Sequence, residues 1–151
     1  MNKKGFTLIE LLVVIAIIGL LSTLAVVALS SARQKARDSK RLSDLKQMQT
    51  ALELYYTDKT AYPMTGTGSI LLGTLATYDC LNASGFRAKG AGCTSPYMGL
   101  IPLDPKNTGT NVYTYKSLDV DLGTSYSLTA VLEGEVGALK ETVTASPTGI
   151  Q

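Results

Sequence analysis

The residue that says most about chemistry in this sequence is a carboxylate inside an apolar run. Residues 6–29 are mostly leucine, isoleucine, valine and alanine, and they contain one charged side chain, Glu10. Burying a carboxylate among hydrocarbon costs roughly 2.5–3.5 kcal/mol even on lenient insertion scales. A plain anchor has no use for such a residue, and a buried carboxylate is tolerated when a cation lies close to it. Glu10 is therefore the first candidate functional residue.

The rest of the chain offers little for catalysis. Its 151 residues include no histidine, so the commonest general base and the commonest metal ligand are both missing. No nucleophile accompanied by a base is visible, and no glycine-rich phosphate loop follows a predicted strand. We expect a protein that is not an enzyme and that needs no cofactor.

Two cysteines, Cys80 and Cys93, lie 13 positions apart beyond the apolar run. An even number of cysteines in an exported domain favours a disulfide, and closing a loop of this size contributes about 3 kcal/mol. Two free thiols are the alternative. A zinc site is disfavoured because two thiolates without histidine fill only half of a tetrahedral shell.

Three aspartates in predicted loops, Asp104, Asp119 and Asp121, are weak candidates for calcium. Calcium takes six to eight oxygen ligands, and Asp119 with Asp121 supplies only part of such a shell. A solvated turn is the interpretation we favour, with no metal site. Asn82-Ala83-Ser84 also fits the acceptor pattern for N-glycosylation, but such triplets are common by chance.

Glu10 is predicted to lie near the start of a long helix. The helix can continue far along the chain, because neither glycine nor proline occurs from residue 22 to residue 62. We predict one helix from about residue 6 to about residue 58, whose first half is long enough to cross a bilayer. Its second half has apolar residues at spacings of three and four, which form a stripe that a sheet can cover. The stripe consists of Leu42, Leu45, Met48, Leu52 and Tyr55.

A small antiparallel sheet is predicted to follow the helix. Residues 112–118 and 125–133 alternate between apolar and polar side chains, and residues 139–145 do so more weakly. Residues 64–110 are the least regular part, in which Ser69 could begin a short helix. We expect the residues from Pro147 onward to form a loose tail.

The N-terminal residues resemble the class III signal of type IV pilins and type II secretion pseudopilins. The matching elements are the basic residues Lys3 and Lys4, the pair Gly5-Phe6, the run Thr7-Leu8-Ile9-Glu10, and the apolar segment behind them. The helix exit, ALELYYTDKTAYP, also looks like that of major pseudopilins and related pilins. Many pilins have a proline in the middle of the apolar segment, where this chain has Val26-Val27.

This resemblance implies an α+β pilin fold, in which a small antiparallel sheet packs on the distal half of a helical spine. Residues 1–5 would be a leader peptide and residues 6–29 the membrane and filament-core half of the helix. Residues 30–58 would be its amphipathic half. Residues 59–151 would be the head, with a variable loop at 64–110.

The resemblance also assigns roles to three residues. A prepilin peptidase would cut after Gly5 and methylate the new amine of Phe6, and Glu10 would pair with the N-terminal amine of a neighbouring subunit. The implied partners are other copies of the chain, the peptidase, an assembly platform in the membrane, and the lipid bilayer before assembly. DNA is a further partner for which the sequence offers no support. The precursor would lie in the cytoplasmic membrane with its N-terminus inside, and the filament would be extracellular or periplasmic.

Five basic residues follow the apolar run, and two interpretations of them are open. They could contact lipid head groups or an acidic partner, or they could be a solvated flank or pair with charges on other subunits. We favour the second interpretation, and we also expect Asp44 to pair with two of these residues along the helix. The five are Arg33, Lys35, Arg37, Lys40 and Arg41, and the two expected partners of Asp44 are Lys40 and Arg41.

Three hypotheses for function follow. The leading one is the structural subunit of a type IV pilus, and the alternative is a pseudopilin of a type II secretion system. A membrane-anchored binding module that never polymerises is the third. An ordinary secretory signal cut near Ala28 or Ala32, or a simple anchor, is disfavoured because neither needs Glu10.

Overall fold

The structure is a computed structural model that describes residues 5–73, 77–88, 90, 92–119 and 121–151. The chain divides into two compact units, Met1–Gln34 and Lys35–Gln151, which we describe in turn. A single helix, α1, spans Leu8–Lys59 and has residues in both units. The predicted helix of about 6–58 is thus confirmed to within two residues at each end.

The first unit exposes its apolar side chains. Between Phe6 and Leu29 the large hydrophobic side chains are 47–88% exposed, so no other described part of the chain covers them. Among the described residues, α1 is the one helix long and apolar enough to cross a membrane, judged by length and composition.

The second unit consists of the distal part of α1 and a head that contains two antiparallel sheets. The larger sheet has five strands in the order β1-β4-β5-β6-β7, and β2 pairs with β3 in a separate hairpin. The strands are β1 Ile70–Leu72, β2 Cys80–Asn82, β3 Gly85–Arg87, β4 Tyr113–Ser117, β5 Tyr126–Val131, β6 Thr142–Ser146 and β7 Gly149–Ile150. The α+β pilin-like class predicted from the sequence is confirmed.

The core lies where the helix stripe meets the larger sheet. Leu45, Met48 and Leu52 are at most 2% exposed, and Leu42 and Tyr55 pack against the same core while partly buried. Strands β4 and β5 alternate buried and half-exposed residues, as the period of two requires when one face of a sheet is covered. The predicted stripe is therefore the face of the helix that the sheet covers.

Two segments differ from their predictions, both because short strands carry little local signal. Residues 70–72, predicted to begin a helix, form the edge strand β1, with Leu72 opposite Tyr113. Gly73, at φ 66°, ends this strand where a Cβ atom would come within 2.7 Å of the Pro102 carbonyl. The tail predicted as loose instead turns back as β7, with Ile150 opposite Ala145. A run of two or three apolar residues does not distinguish helix, strand and coil; the neighbouring strand decides.

Candidate functional site

The start of the helix is closed by Thr7 and Glu10. The backbone N–H and the hydroxyl of Thr7 both donate to the Glu10 carboxylate, at 2.8 and 2.7 Å, and the Glu10 N–H donates to the Thr7 hydroxyl at 3.3 Å. This is a capping box, in which a threonine at the N-cap and a glutamate three residues later satisfy each other's donors. The sequence analysis missed this role of Thr7, although the Thr-x-x-Glu spacing is its signal.

The capping box holds the Glu10 carboxylate at the positive end of the helix dipole, ahead of the exposed apolar surface. Gly5 and Phe6 precede the helix in non-helical chain, and Phe6 is 88% exposed. The predicted cleavage site therefore lies in an accessible segment next to the carboxylate. Lys3 and Lys4 lie outside the described residues.

A buried ion-pair cluster joins the helix to the head. The Arg41 side chain is fully buried, and its Nε and Nη2 donate to the two carboxylate oxygens of Asp104 at 2.7 and 2.9 Å. Its Nη1 donates to Asp38 at 2.6 Å and to Glu133 at 2.9 Å. Charge-assisted bonds of this bidentate type are among the strongest in proteins, and they fix orientation as well as distance.

The carboxylates of this cluster have further partners. Asp38 accepts the backbone N–H groups of Glu133 and Gly134 at 2.9 and 3.0 Å, and Glu133 also pairs with Arg37 and Lys106. Hydrogen bonds from Arg37 above all, opposed by partial burial, hold the pKa of the Glu133 carboxyl well below its usual range. We call these six side chains the Arg41 cluster: Arg37, Asp38, Arg41, Asp104, Lys106 and Glu133.

The Arg41 cluster corrects the interpretation of the basic residues as a solvated flank for two of the five, Arg37 and Arg41. Arg41 is buried, Arg37 pairs with Glu133 at 2.6 Å, and Lys40 pairs with Asp44 at 2.8 Å as predicted. The predicted pair between Arg41 and Asp44 is wrong, because Arg41 turns toward Asp38. Of the five basic residues, Arg33, Lys35 and Lys40 remain on the exposed surface.

The two cysteines are joined, as predicted. Cys80 is fully buried in β2, and its disulfide to Cys93 ties the chain that follows the β2–β3 hairpin back onto that strand. The adjacent Asn82 is only 6% exposed, and its amide oxygen accepts the N–H of Ser84 at 2.9 Å. A side chain held in this way is not presented for glycosylation.

Asp119 is used within its own loop, between β4 and β5. Its carboxylate accepts the N–H groups of Asp121 and Leu122 and the hydroxyl of Thr124, at 2.8–3.2 Å. These bonds, from Leu122 foremost, lower the pKa of Asp119. Asp104 is not part of this arrangement, because both of its oxygens bind Arg41. Within the described part of the chain, no three acidic, histidine or cysteine side chains gather as a metal site.

Comparison with known proteins extends the N-terminal resemblance into the head. A family model described as "Prokaryotic N-terminal methylation motif" matches residues 1–26. A type II secretion system core protein G from Escherichia coli (strain K12) is 36% identical over 104 residues, which cover 69% of this chain and 67% of that protein. The protein of the same name from Vibrio cholerae serotype O1 is 32% identical over 136 residues, covering 90% and 85%.

Other relatives match over less of their length. The core protein G of Aeromonas hydrophila is 41% identical over 67 residues, and this match spans 44% of the chain and 47%, about half, of that relative. No solved structure matches the chain significantly. The match to the Vibrio cholerae protein covers most of both chains, and with the methylation motif it shows that the chain belongs to the type IV pilin and type II secretion pseudopilin family.

Proposed function

We propose that this chain is a pseudopilin: a filament subunit that polymerises through its N-terminal helix as part of a type II secretion system. The observation that carries the proposal is the apolar half of α1, which is exposed along its whole length and has Glu10 as its one charge. A surface of this kind is stable when lipid or other copies of the same helix cover it. The names of the relatives favour the pseudopilus over the surface pilus that led among the sequence hypotheses.

The proposed action is mechanical rather than catalytic. Before assembly the apolar helix lies in the cytoplasmic membrane, with the N-terminus inside. The peptidase cuts after Gly5 and methylates Phe6, and the helix then leaves lipid for a bundle of like helices. The driving force is the packing of leucine, isoleucine and valine side chains, and the pairing of Glu10 with a neighbour's Phe6 amine sets the register.

Thr7 has a part in this proposal. Its two hydrogen bonds keep the Glu10 carboxylate at the start of the helix before a neighbouring amine arrives. The carboxylate thus has hydrogen-bond partners while it is in the membrane, which reduces the free energy cost of burying its charge there.

The surface type IV pilus remains the second candidate because of the β4–β5 loop. Calcium binding in that loop would favour a pseudopilus, but the Asp119 carboxylate already accepts three protein hydrogen bonds. These hydrogen bonds order the loop without calcium.

The deciding measurement is the intact mass and N-terminal residue of the protein from membrane and sheared surface fractions. The proposal expects a chain that begins at methylated Phe6 and stays with the envelope. The same chain abundant in the sheared fraction would identify a surface pilus instead. A chain that begins at Met1, or beyond Leu29, would overturn both.

A pair of variants tests the assembly step. Glu10→Ala should be processed normally but fail to enter filaments, because the neighbouring amine loses its partner. Thr23→Ala is the matched control, since Thr23 lies in the same apolar segment and its hydroxyl donates within its own helix, to the Leu20 carbonyl. Normal polymer yield from Glu10→Ala would contradict the role assigned to Glu10.

A further inference from the structure

Two exposed cations follow the apolar half of α1. Arg33 is exposed in the first unit, where the one described carboxylate, Glu10, lies 23 residues earlier, roughly 34 Å along the helix. Lys35 begins the second unit, is exposed, and forms no ion pair with a described residue there. Each unit taken by itself thus leaves its cation available to a ligand outside the chain.

The carboxylates next to this part of the second unit are already bound. Asp38 is 1% exposed and accepts from Arg41 at 2.6 Å, and Glu133 accepts from Arg41 at 2.9 Å. Glu135, which follows the Gly134 that binds Asp38, pairs with Lys140 at 2.8 Å. The negative charge that Lys35 lacks within its unit therefore has to come from a ligand.

The position of the two cations along the helix matches the surface of a bilayer. Residues 11–29 carry no charge, and 19 helical residues span roughly 29 Å, close to the 30 Å of a hydrocarbon core. Arg33 follows Leu29 by four residues and Lys35 follows it by six, which places their Cα atoms roughly 6 and 9 Å beyond the apolar run. Side chains of a helix lean toward its N-terminus, so both cations reach back toward the bilayer. The head-group layer is about 5–7 Å thick on each side, and their charges fall in it.

The two cations also lie on different sides of the helix. At 3.6 residues per turn, two positions differ by about 200° around the helix axis, so Arg33 and Lys35 point almost oppositely. A protein that docks on one face of a helix contacts one of them. Lipid head groups surround a helix that leaves a bilayer and contact both.

We infer that Arg33 and Lys35 bind the head groups of anionic phospholipids where α1 leaves the membrane. This is the first of the two interpretations that the sequence left open for the basic residues, and here it applies to these two. The inference rests on the proposed function, in which the apolar half of the helix lies in the membrane before assembly. It adds a lipid class to the partners of the unassembled subunit.

Boundary-lipid electron paramagnetic resonance tests the inference. The full chain, purified from membranes, is reconstituted in phosphatidylcholine vesicles with a trace of spin-labelled phosphatidylglycerol or spin-labelled phosphatidylcholine. The motionally restricted fraction should be larger for phosphatidylglycerol, and this preference should shrink as the salt concentration rises from 0.05 to 0.5 M. Each cation should favour the anionic lipid roughly fivefold at its own contact. Arg33→Gln with Lys35→Gln should therefore lose most of the preference.

Two further chains serve as controls for this double variant. Lys46→Gln with Lys59→Gln removes the same charge from exposed positions on the same helix, at least 17 residues beyond Leu29, or roughly 26 Å. That distance exceeds two Debye lengths at 0.1 M salt, so this control should keep the preference. Arg33→Lys with Lys35→Arg keeps both charges and should also keep it. The circular dichroism spectrum should be the same for all chains, because the changed side chains are exposed.

The outcomes separate the inference from the proposed function. Loss of the preference in the double glutamine variant alone supports the inference. Equal restriction of both lipids by the parent chain, or an unchanged preference in the double variant, would overturn it and leave the proposed function standing. An unchanged preference with fewer filaments in cells would assign the cations to contacts between subunits instead. No restricted lipid around any chain would mean that the helix does not enter the bilayer, which would refute the membrane step of the proposed function and the inference with it.

Discussion

Replacing Arg41 by methionine tests whether the Arg41 cluster holds the head on the helix. The change removes a cation that contacts Asp38, Asp104 and Glu133 together, while a side chain of similar length remains. Removing one partner of a buried ion pair costs about 3–5 kcal/mol, because the charge left behind is uncompensated. Asp38 and Asp104 are each about 1% exposed, so water does not replace the lost contact.

The remaining partners set the expected size within that range. Asp38 keeps two backbone donors, Asp104 keeps the N–H groups of Lys106 and Asn107, and Glu133 keeps Arg37 and Lys106. We therefore expect Arg41→Met to lower the free energy of unfolding by about 4 kcal/mol, a large part of the 5–15 kcal/mol typical of a domain.

The assay is a urea titration of the full chain in detergent, followed by the near-ultraviolet circular dichroism of the buried tyrosines. Lys35→Met is the matched control, since Lys35 is exposed six residues earlier on the helix, and it should change the free energy of unfolding by no more than about 0.5 kcal/mol. Adding Asp38→Asn and Asp104→Asn to Arg41→Met should recover part of the loss. A loss below about 1 kcal/mol for Arg41→Met alone would refute the argument that the cluster fastens the head.

Three further predictions follow from the same head. The folded pKa of Glu133 is depressed, so its contribution to the free energy of unfolding is present above the unfolded pKa of about 4.3 and is lost as the pH falls below it. The urea midpoint should therefore be level from pH 7 to about 5 and then drop. Glu133→Gln should make this drop smaller. Replacing Cys80 and Cys93 by alanine should cost about 3 kcal/mol, and reduction of the parent chain should reproduce the loss in the same titration. Asp119→Ala should speed amide hydrogen exchange at Asp121 and Leu122, whose N–H groups it binds, while exchange in β5 stays unchanged.

Local patterns were enough to predict the elements that dominate the fold. The helix follows from 41 residues without glycine or proline, and its buried stripe from a spacing of three and four. Strands β4 and β5 follow from alternation over five and six residues. The disulfide follows from the cysteine count. Each of these signals lies within a short window of sequence.

The features that were missed depend on partners far along the chain. Arg41 has the same spacing as the exposed basic residues around it, and its burial is decided by Asp104 and Glu133, 63 and 92 positions away. No window around Arg41 contains that information. The Thr7 cap is different, because the Thr-x-x-Glu spacing is local and was open to interpretation from the sequence.

The Arg41 cluster does something that the apolar core cannot do. Leucine, methionine and alanine present similar surfaces at successive turns of a helix, so apolar packing alone sets the position of a sheet along the helix axis only loosely. Arg41 has partners from the helix itself, from the segment before β4 at Asp104 and from the segment after β5 at Glu133. A shift of one turn, about 5.4 Å, would break the contacts with Asp104 and Glu133 and leave buried charges unpaired. The polar cluster thus sets the position of the head along the helix, and the apolar surface buried in the core stabilises the head in that position.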